Sequence, residues 1–164
     1  MENARIMIVE DEAITSYEIG VALESMDYKV AANAITAEEA ITKVETDRPD
    51  IILMDIQLKG KMDGIQAAEL IKDRFNIPVI FMTAYTDDEK LERAKLVHPY
   101  GYLVKPLQER DLKITIKMAL YSAKMDMERK QAEERFRSLV ETSNDWIWEM
   151  DPNCVYTFVS PKVK

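Results

Sequence analysis

Ile51-Ile52-Leu53-Met54-Asp55 is the stretch on which the fold turns. Four large apolar residues in succession suit a strand covered on both faces, and the acid that ends them belongs at the rim of a sheet. The same arrangement recurs on either side. Val79-Ile80-Phe81-Met82 ends at Thr83, and Tyr102-Leu103-Val104 ends at Lys105-Pro106. Upstream, Ile6-Met7-Ile8-Val9 ends in Glu10-Asp11, and Val30 to Ala34 reads as a weaker strand. The segments between carry helical spacing. Residues 13–26 place Ile19, Leu23 and Met26 on one face. Thr36 with Glu39 forms a capping box ahead of Ala37, Ala40, Ile41 and Val44, and Pro49-Asp50 breaks that helix. A loop with Gly60 and Asp63-Gly64 leads into a helix bearing Ala67, Leu70, Ile71 and Phe75, which Pro78 stops. Asp87 caps a helix holding Leu91, Ala94 and Val97, with His98-Pro99 and Gly101 as its exit turn.

Strands that alternate with helices imply βα units with right-handed crossovers. The expected architecture is α/β: a flavodoxin-like, doubly wound, five-stranded parallel sheet of order 2-1-3-4-5. From Gln108 to about residue 142 there is no Gly or Pro, and the stretch reads as one extended helix roughly 50 Å long. A domain of this size is only about 30 Å across, so the helix is expected to project beyond it. Leu112, Ile116, Ala119, Ala123 and Met127 form its apolar stripe, and the charged run 128–135 reads as a solvated face. After Phe136 the pattern changes again. Trp146-Ile147-Trp148 and Val155-Tyr156-Thr157-Phe158-Val159 flank Asp151-Pro152-Asn153, as two strands flank a turn.

The whole-chain numbers narrow the function. Net charge is −8 with a pI near 4.8, which disfavours a nucleic-acid surface, since phosphate contacts need clustered Lys and Arg. A single cysteine, Cys154, excludes an intrachain disulfide and a CxxC metal site. No apolar run reaches the length of a membrane span, so a cytoplasmic protein is expected. His98 reads as a surface loop residue and the ten methionines as core filler.

In open α/β sheets, ligands bind at the carboxyl ends of the strands, beside the point where strand order reverses. Here that point lies between strands one and three. Glu10, Asp11 and Asp55 would converge there, with Thr83 and Lys105 alongside. Three packed carboxylates repel one another and call for a cation. An all-oxygen, strongly acidic site suits Mg²⁺, which keeps several waters and takes further oxygens from phosphate. Lys105 would balance a bound phosphoryl group and Thr83 would offer it a hydroxyl. A carboxylate in such a place can act as the nucleophile that forms an acyl phosphate.

On these residues the chain resembles the receiver domain of response regulators over residues 4–121. The resemblance is carried by Glu10-Asp11, Leu53-Met54-Asp55-Ile56, Met62-Asp63-Gly64, the 78–84 run and Tyr102-Leu103-Val104-Lys105-Pro106. It implies that Asp55 accepts phosphate from a phosphohistidine on a sensor histidine kinase or phosphotransfer protein. It implies that Asp11, Asp55 and the main-chain carbonyl of Gln57 bind Mg²⁺, with Glu10 acting directly or through water. Thr83 would bond the phosphoryl oxygen, Tyr102 would turn inward as an aromatic switch, and the Lys105-Pro106 bond would be cis. Gln57 and Tyr85 would tune dephosphorylation. The segment 134–151 resembles the start of a PAS sensor domain. The implied layout is a receiver over 1–121, a helical linker over 122–140 and an N-terminal PAS-like fragment over 141–164. The parent would then be a hybrid sensor kinase or another receiver–PAS protein. Homodimerisation is expected through the helix 4–strand 5–helix 5 face or the linker helix, with no membrane or nucleic-acid contact by this chain.

Blander readings compete. Tyr102 also suits plain strand packing, and each acid alone suits a cap or a solvated surface. An aspartyl-phosphate phosphatase on a similar fold is the enzymatic alternative. Such enzymes place a second Asp two residues after the nucleophile, where this chain has Gln57. No helix-turn-helix follows the receiver, which counts against a DNA-binding regulator.

Overall fold

The computed structural model describes residues 3–84, 88–142 and 148–159. Tyr85, Asp87 and Trp146-Ile147, all singled out above, lie outside the described residues. In the first part of the chain the strands are β1 (Arg5–Val9), β2 (Lys29–Ala34), β3 (Ile51–Asp55), β4 (Val79–Ala84) and β5 (Gly101–Lys105). The helices are α1 (Ala13–Ser25), α2 (Ala37–Asp47), α3 (Gly64–Phe75), α4 (Asp88–Leu96) and α5 (Glu109–Thr142). The sheet has the expected order β2-β1-β3-β4-β5, and every pairing in it is parallel.

Apolar strands run nearly unbroken because both faces are covered. Successive side chains point to opposite faces. Met7, Val9, Ile52, Met54 and Phe81 share one core with Val44 of α2, Ala67 and Ile71 of α3 and Ala94 of α4. Ile6, Ile8, Leu53, Ile80, Met82 and Leu103 share the other with Ile19 and Leu23 of α1 and Leu112, Ile116 and Ala119 of α5. All five residues of β3 are buried, as the central strand of a doubly covered sheet requires.

Register then fixes the rim. Val9 pairs with Met54, Asp55 with Met82, and Ala84 with Lys105. The polar residues that end four of the strands are thereby brought to one edge.

Helix starts follow local chemistry, with one departure from expectation. Thr36 accepts from the Glu39 amide at 3.2 Å, but the Glu39 carboxylate accepts from Ile35, one residue ahead of the cap. The reciprocal box stands instead at α3, where the Asp63 carboxylate and the Gln66 side chain each accept the other residue's amide at 2.9 and 3.0 Å. Gly64, the first residue of that helix, is there for closeness: a Cβ would lie 1.9 Å from the Asp55 carbonyl oxygen. The α2 and α3 helices end at Arg48 and Asn76, both in the left-handed region. The Lys105-Pro106 peptide bond is cis.

The chain divides into two compact units, Met1–Ala123 and Lys124–Lys164, and α5 is continuous across the division. In the second unit, β6 (Trp148–Met150) pairs antiparallel with β7 (Tyr156–Val159). Asp151 organises the turn between them, its Oδ1 accepting from the Asn153 and Val155 amides at 2.9 Å each. Among the described residues, no helix is long and apolar enough to cross a membrane.

Candidate functional site

Glu10 follows β1 directly, and its backbone is held by the Ala34 carbonyl at the end of β2. Asp55 closes β3. Both are buried, Glu10 to 1% exposure and Asp55 to 5%. Two buried carboxylates side by side need a counter-charge. Lys105, arriving from the end of β5, supplies it: its Nζ stands 2.6 Å from Glu10 Oε2 and 2.5 Å from Asp55 Oδ2. The remaining oxygens are used as well. Asp55 Oδ1 accepts from the Gln57 amide at 2.8 Å, and Glu10 Oε1 accepts from the Glu12 amide at 3.2 Å.

Asp11 sits beside them. One oxygen from each of Glu10, Asp11 and Asp55 lies within 4.8 Å of the others. This is an all-oxygen donor set of hard ligands with excess negative charge, the chemistry that suits Mg²⁺. Asp11 has a cation of its own, Lys59, whose Nζ approaches Asp11 Oδ2 to 2.9 Å from the loop between β3 and α3.

The electrostatics follow from burial and pairing. Desolvation raises the Glu10 carboxyl above its ordinary range, the Asp55 charge adds to the rise, and the Lys105 hydrogen bond opposes it. For Lys105, burial works downward, yet the hydrogen bonds to Asp55 and Glu10 outweigh it and hold the ammonium above its usual range. The hydrogen bond to Asp11 raises Lys59 in the same sense.

The two remaining sequence candidates flank this cluster. Thr83, next to last in β4, is partly exposed, and its hydroxyl donates to the Ala84 carbonyl at 3.0 Å. Tyr102 in β5 is half-buried beside Phe81, with ring centroids 6.1 Å apart. Its hydroxyl is buried with no hydrogen-bond partner, and burial raises its pKa.

So Glu10, Asp11, Asp55, Lys105 and the Gln57 amide form one contiguous cluster, while Thr83 and Tyr102 stand along the neighbouring strands. Sequence reasoning missed Lys59 and the Asp63–Arg93 ion pair, 3.0 Å long, that links the start of α3 to α4. A signal for Lys59 existed: it lies four positions after the acid of β3, in the same short loop. For Arg93 there was none, since nothing local ties an exposed helix residue to a cap thirty positions earlier.

Comparisons with known proteins bear on the domain that holds this cluster. The family model described as the response regulator receiver domain matches residues 6–117. The transcriptional regulatory protein PdtaR of Mycobacterium tuberculosis is 32% identical over 116 residues, which cover 71% of this chain and 56% of that protein. The chemotaxis protein CheY of Treponema pallidum is 34% identical over 109 residues, 65% of this chain and 75% of that protein. The match thus spans little more than half of PdtaR. Among solved structures, the signal receiver domain of a modulated diguanylate cyclase from Desulfovibrio desulfuricans G20 aligns with a TM-score of 0.73 at 37% identity, covering 76% of this chain and 98% of that one. The N-terminal domain of a response regulator/sensory box/GGDEF 3-domain protein from Carboxydothermus hydrogenoformans aligns with a TM-score of 0.69 at 37% identity, over 75% and 98% of the two chains.

Proposed function

The chain belongs to the response regulator receiver family, and from that membership we propose that it is a phosphoacceptor switch whose accepting atom is a carboxylate oxygen of Asp55. The observation that carries the reading is the single ammonium of Lys105 held between Glu10 and Asp55, 2.6 and 2.5 Å away. A lysine so placed lies where a phosphoryl group on Asp55 would develop charge.

The donor is a phosphohistidine on a sensor histidine kinase or phosphotransfer protein. An Asp55 oxygen attacks phosphorus, the P–N bond breaks, and its electron pair returns to the imidazole. Glu10, Asp11 and Asp55 would hold Mg²⁺, with the Gln57 carbonyl as a further oxygen ligand. Bound there, the ion offsets charge on the phosphoryl oxygens. Lys105 keeps its proton throughout, because its pKa is held above the ordinary lysine range. The Gln57 amide fixes the unreacted carboxylate oxygen at 2.8 Å and so orients the other for attack.

Once Asp55 is phosphorylated, the Thr83 hydroxyl exchanges its Ala84 carbonyl for a phosphoryl oxygen, and Tyr102 follows. That alters the face of α4, β5 and α5, where Leu96, Val104 and Met118 are exposed apolar residues. This face or the linker helix carries the signal, and a homodimer through it is the form we propose. The layout is a cytoplasmic receiver over 1–121, a linker over 122–140 and the start of a PAS domain over 141–164. The β6–β7 hairpin and the sensory box in the Carboxydothermus relative support this order. Continuation of the parent sequence past Lys164 into the remaining strands of such a fold is its check. A phosphatase is disfavoured by Gln57, which stands where the general acid would be.

Incubation with a small phosphodonor tests the central reading. One phosphoryl group should add per chain with Mg²⁺ and none with a chelator. Equal addition to the Asp55→Asn variant would refute it.

A further inference from the structure

Three carboxylates meet at the site and two lysines answer them, in very different ways. Lys105 is 22% exposed, approaches from the end of β5 and spans Glu10 and Asp55. Asp11 is left to Lys59, which is 88% exposed and reaches in from the β3–α3 loop to 2.9 Å. At 88% exposure, most of the Lys59 side chain lies in solvent.

We propose that Lys59 is a tethered competitor of magnesium, its ammonium occupying the Asp11 oxygen until the divalent ion displaces it. The inference rests on the magnesium reading given above and deepens it. A small divalent ion demands close, near-octahedral oxygen ligands. An ammonium in hydrogen-bond contact with one of those oxygens repels the ion and takes up its ligand. Lys59 holds Asp11 Oδ2, so an ion at the same carboxylate is opposed by the neighbouring ammonium and gains when that contact opens.

The geometry makes that displacement local. Lys105 is anchored by two buried acids, so expelling it would strand both. Lys59 leaves by rotating an exposed side chain into water, with no packing lost. The chain therefore trades affinity for charge balance: without metal, Asp11 is neutralised and the cluster is less repulsive, and with metal, a lysine is released beside the phosphorylation site. Lys59 acts as a positioning residue through Asp11, and its removal should alter ion binding more than folding.

Lys61 supplies the control. It carries the same charge on the same loop and is exposed. Isothermal titration of the full chain with MgCl₂ would compare wild type, Lys59→Met and Lys61→Met. We expect Lys59→Met to tighten Mg²⁺ binding about three- to tenfold, as removal of one close charge should. Lys61→Met should change it less than about twofold, because among the described residues Lys61 forms no ion pair with Glu10, Asp11 or Asp55 and its exposed charge is screened. Equal affinities in wild type and Lys59→Met would overturn the inference alone. So would an equal gain in Lys61→Met, which would mean that only net charge matters. Absence of Mg²⁺ binding by folded wild type would overturn the magnesium reading itself, and this one with it.

Discussion

Glu10 and Lys105 hold each other in unfavourable surroundings, and pH separates their contributions. The folded protein binds the Glu10 proton more tightly than the unfolded chain, whose carboxyl titrates near 4.5. Stability from that difference is fully present below pH 4.5 and is lost as pH rises through the raised folded value. Lys105 opposes the rise, so Lys105→Met should push the Glu10 carboxyl higher and widen the loss. In urea melts the variant should trail wild type by about 3 kcal/mol at neutral pH, the scale of a broken buried pair. The gap should narrow as the pH is lowered through the acid range. A gap that stays constant with pH would show that the loss does not come from a carboxylate left uncompensated. Lys105 itself titrates too far above this range to confuse the result.

At the scale of elements, the junction of β3 with α3 positions the site. Asp55 ends the strand, Gln57 turns an amide back onto it, and Gly64 starts the helix against the Asp55 carbonyl. A Cβ at Gly64 would force strand and helix apart, so Gly64→Ala should cost ~3 kcal/mol in chemical denaturation and loosen the Asp55 carboxylate. A change of a few tenths would mean the junction has slack.

This junction also shows what the sequence made legible. Long-range order was readable, because buried parallel strands leave uninterrupted apolar runs and each polar residue ending a run marks the rim. Glu10, Asp11, Asp55 and Lys105 were therefore found together. The Thr36–Glu39 box expected from its residues forms only in its Thr36 half, because whether Glu39 reaches Thr36 or Ile35 depends on the approach of the chain, which the pattern does not encode. The box at Asp63–Gln66 went unnoticed because Asp63-Gly64 reads as a turn. Arg93 was missed because an exposed cation on one helix finds a cap thirty positions earlier only through the fold, whereas Lys59 lay in reach of notice, in the short loop after the acid of β3.

At the scale of the whole molecule, the proposed switch is a reversible change of charge at one rim of the sheet, passed to a surface. If the α4–β5–α5 face or the linker helix then binds a second copy, light scattering should show a mass that rises when beryllofluoride mimics the phosphoryl group. An unchanged monomer in both states would remove the dimer and leave the acceptor site untouched. Chemistry at one residue identifies the phosphoacceptor. Phosphorylated protein reduced with borohydride converts an aspartyl phosphate to homoserine, which peptide mass spectrometry locates. Homoserine is expected at position 55 and at no other aspartate. Homoserine elsewhere, or phosphate found on a serine or threonine with Asp55 intact, would contradict it.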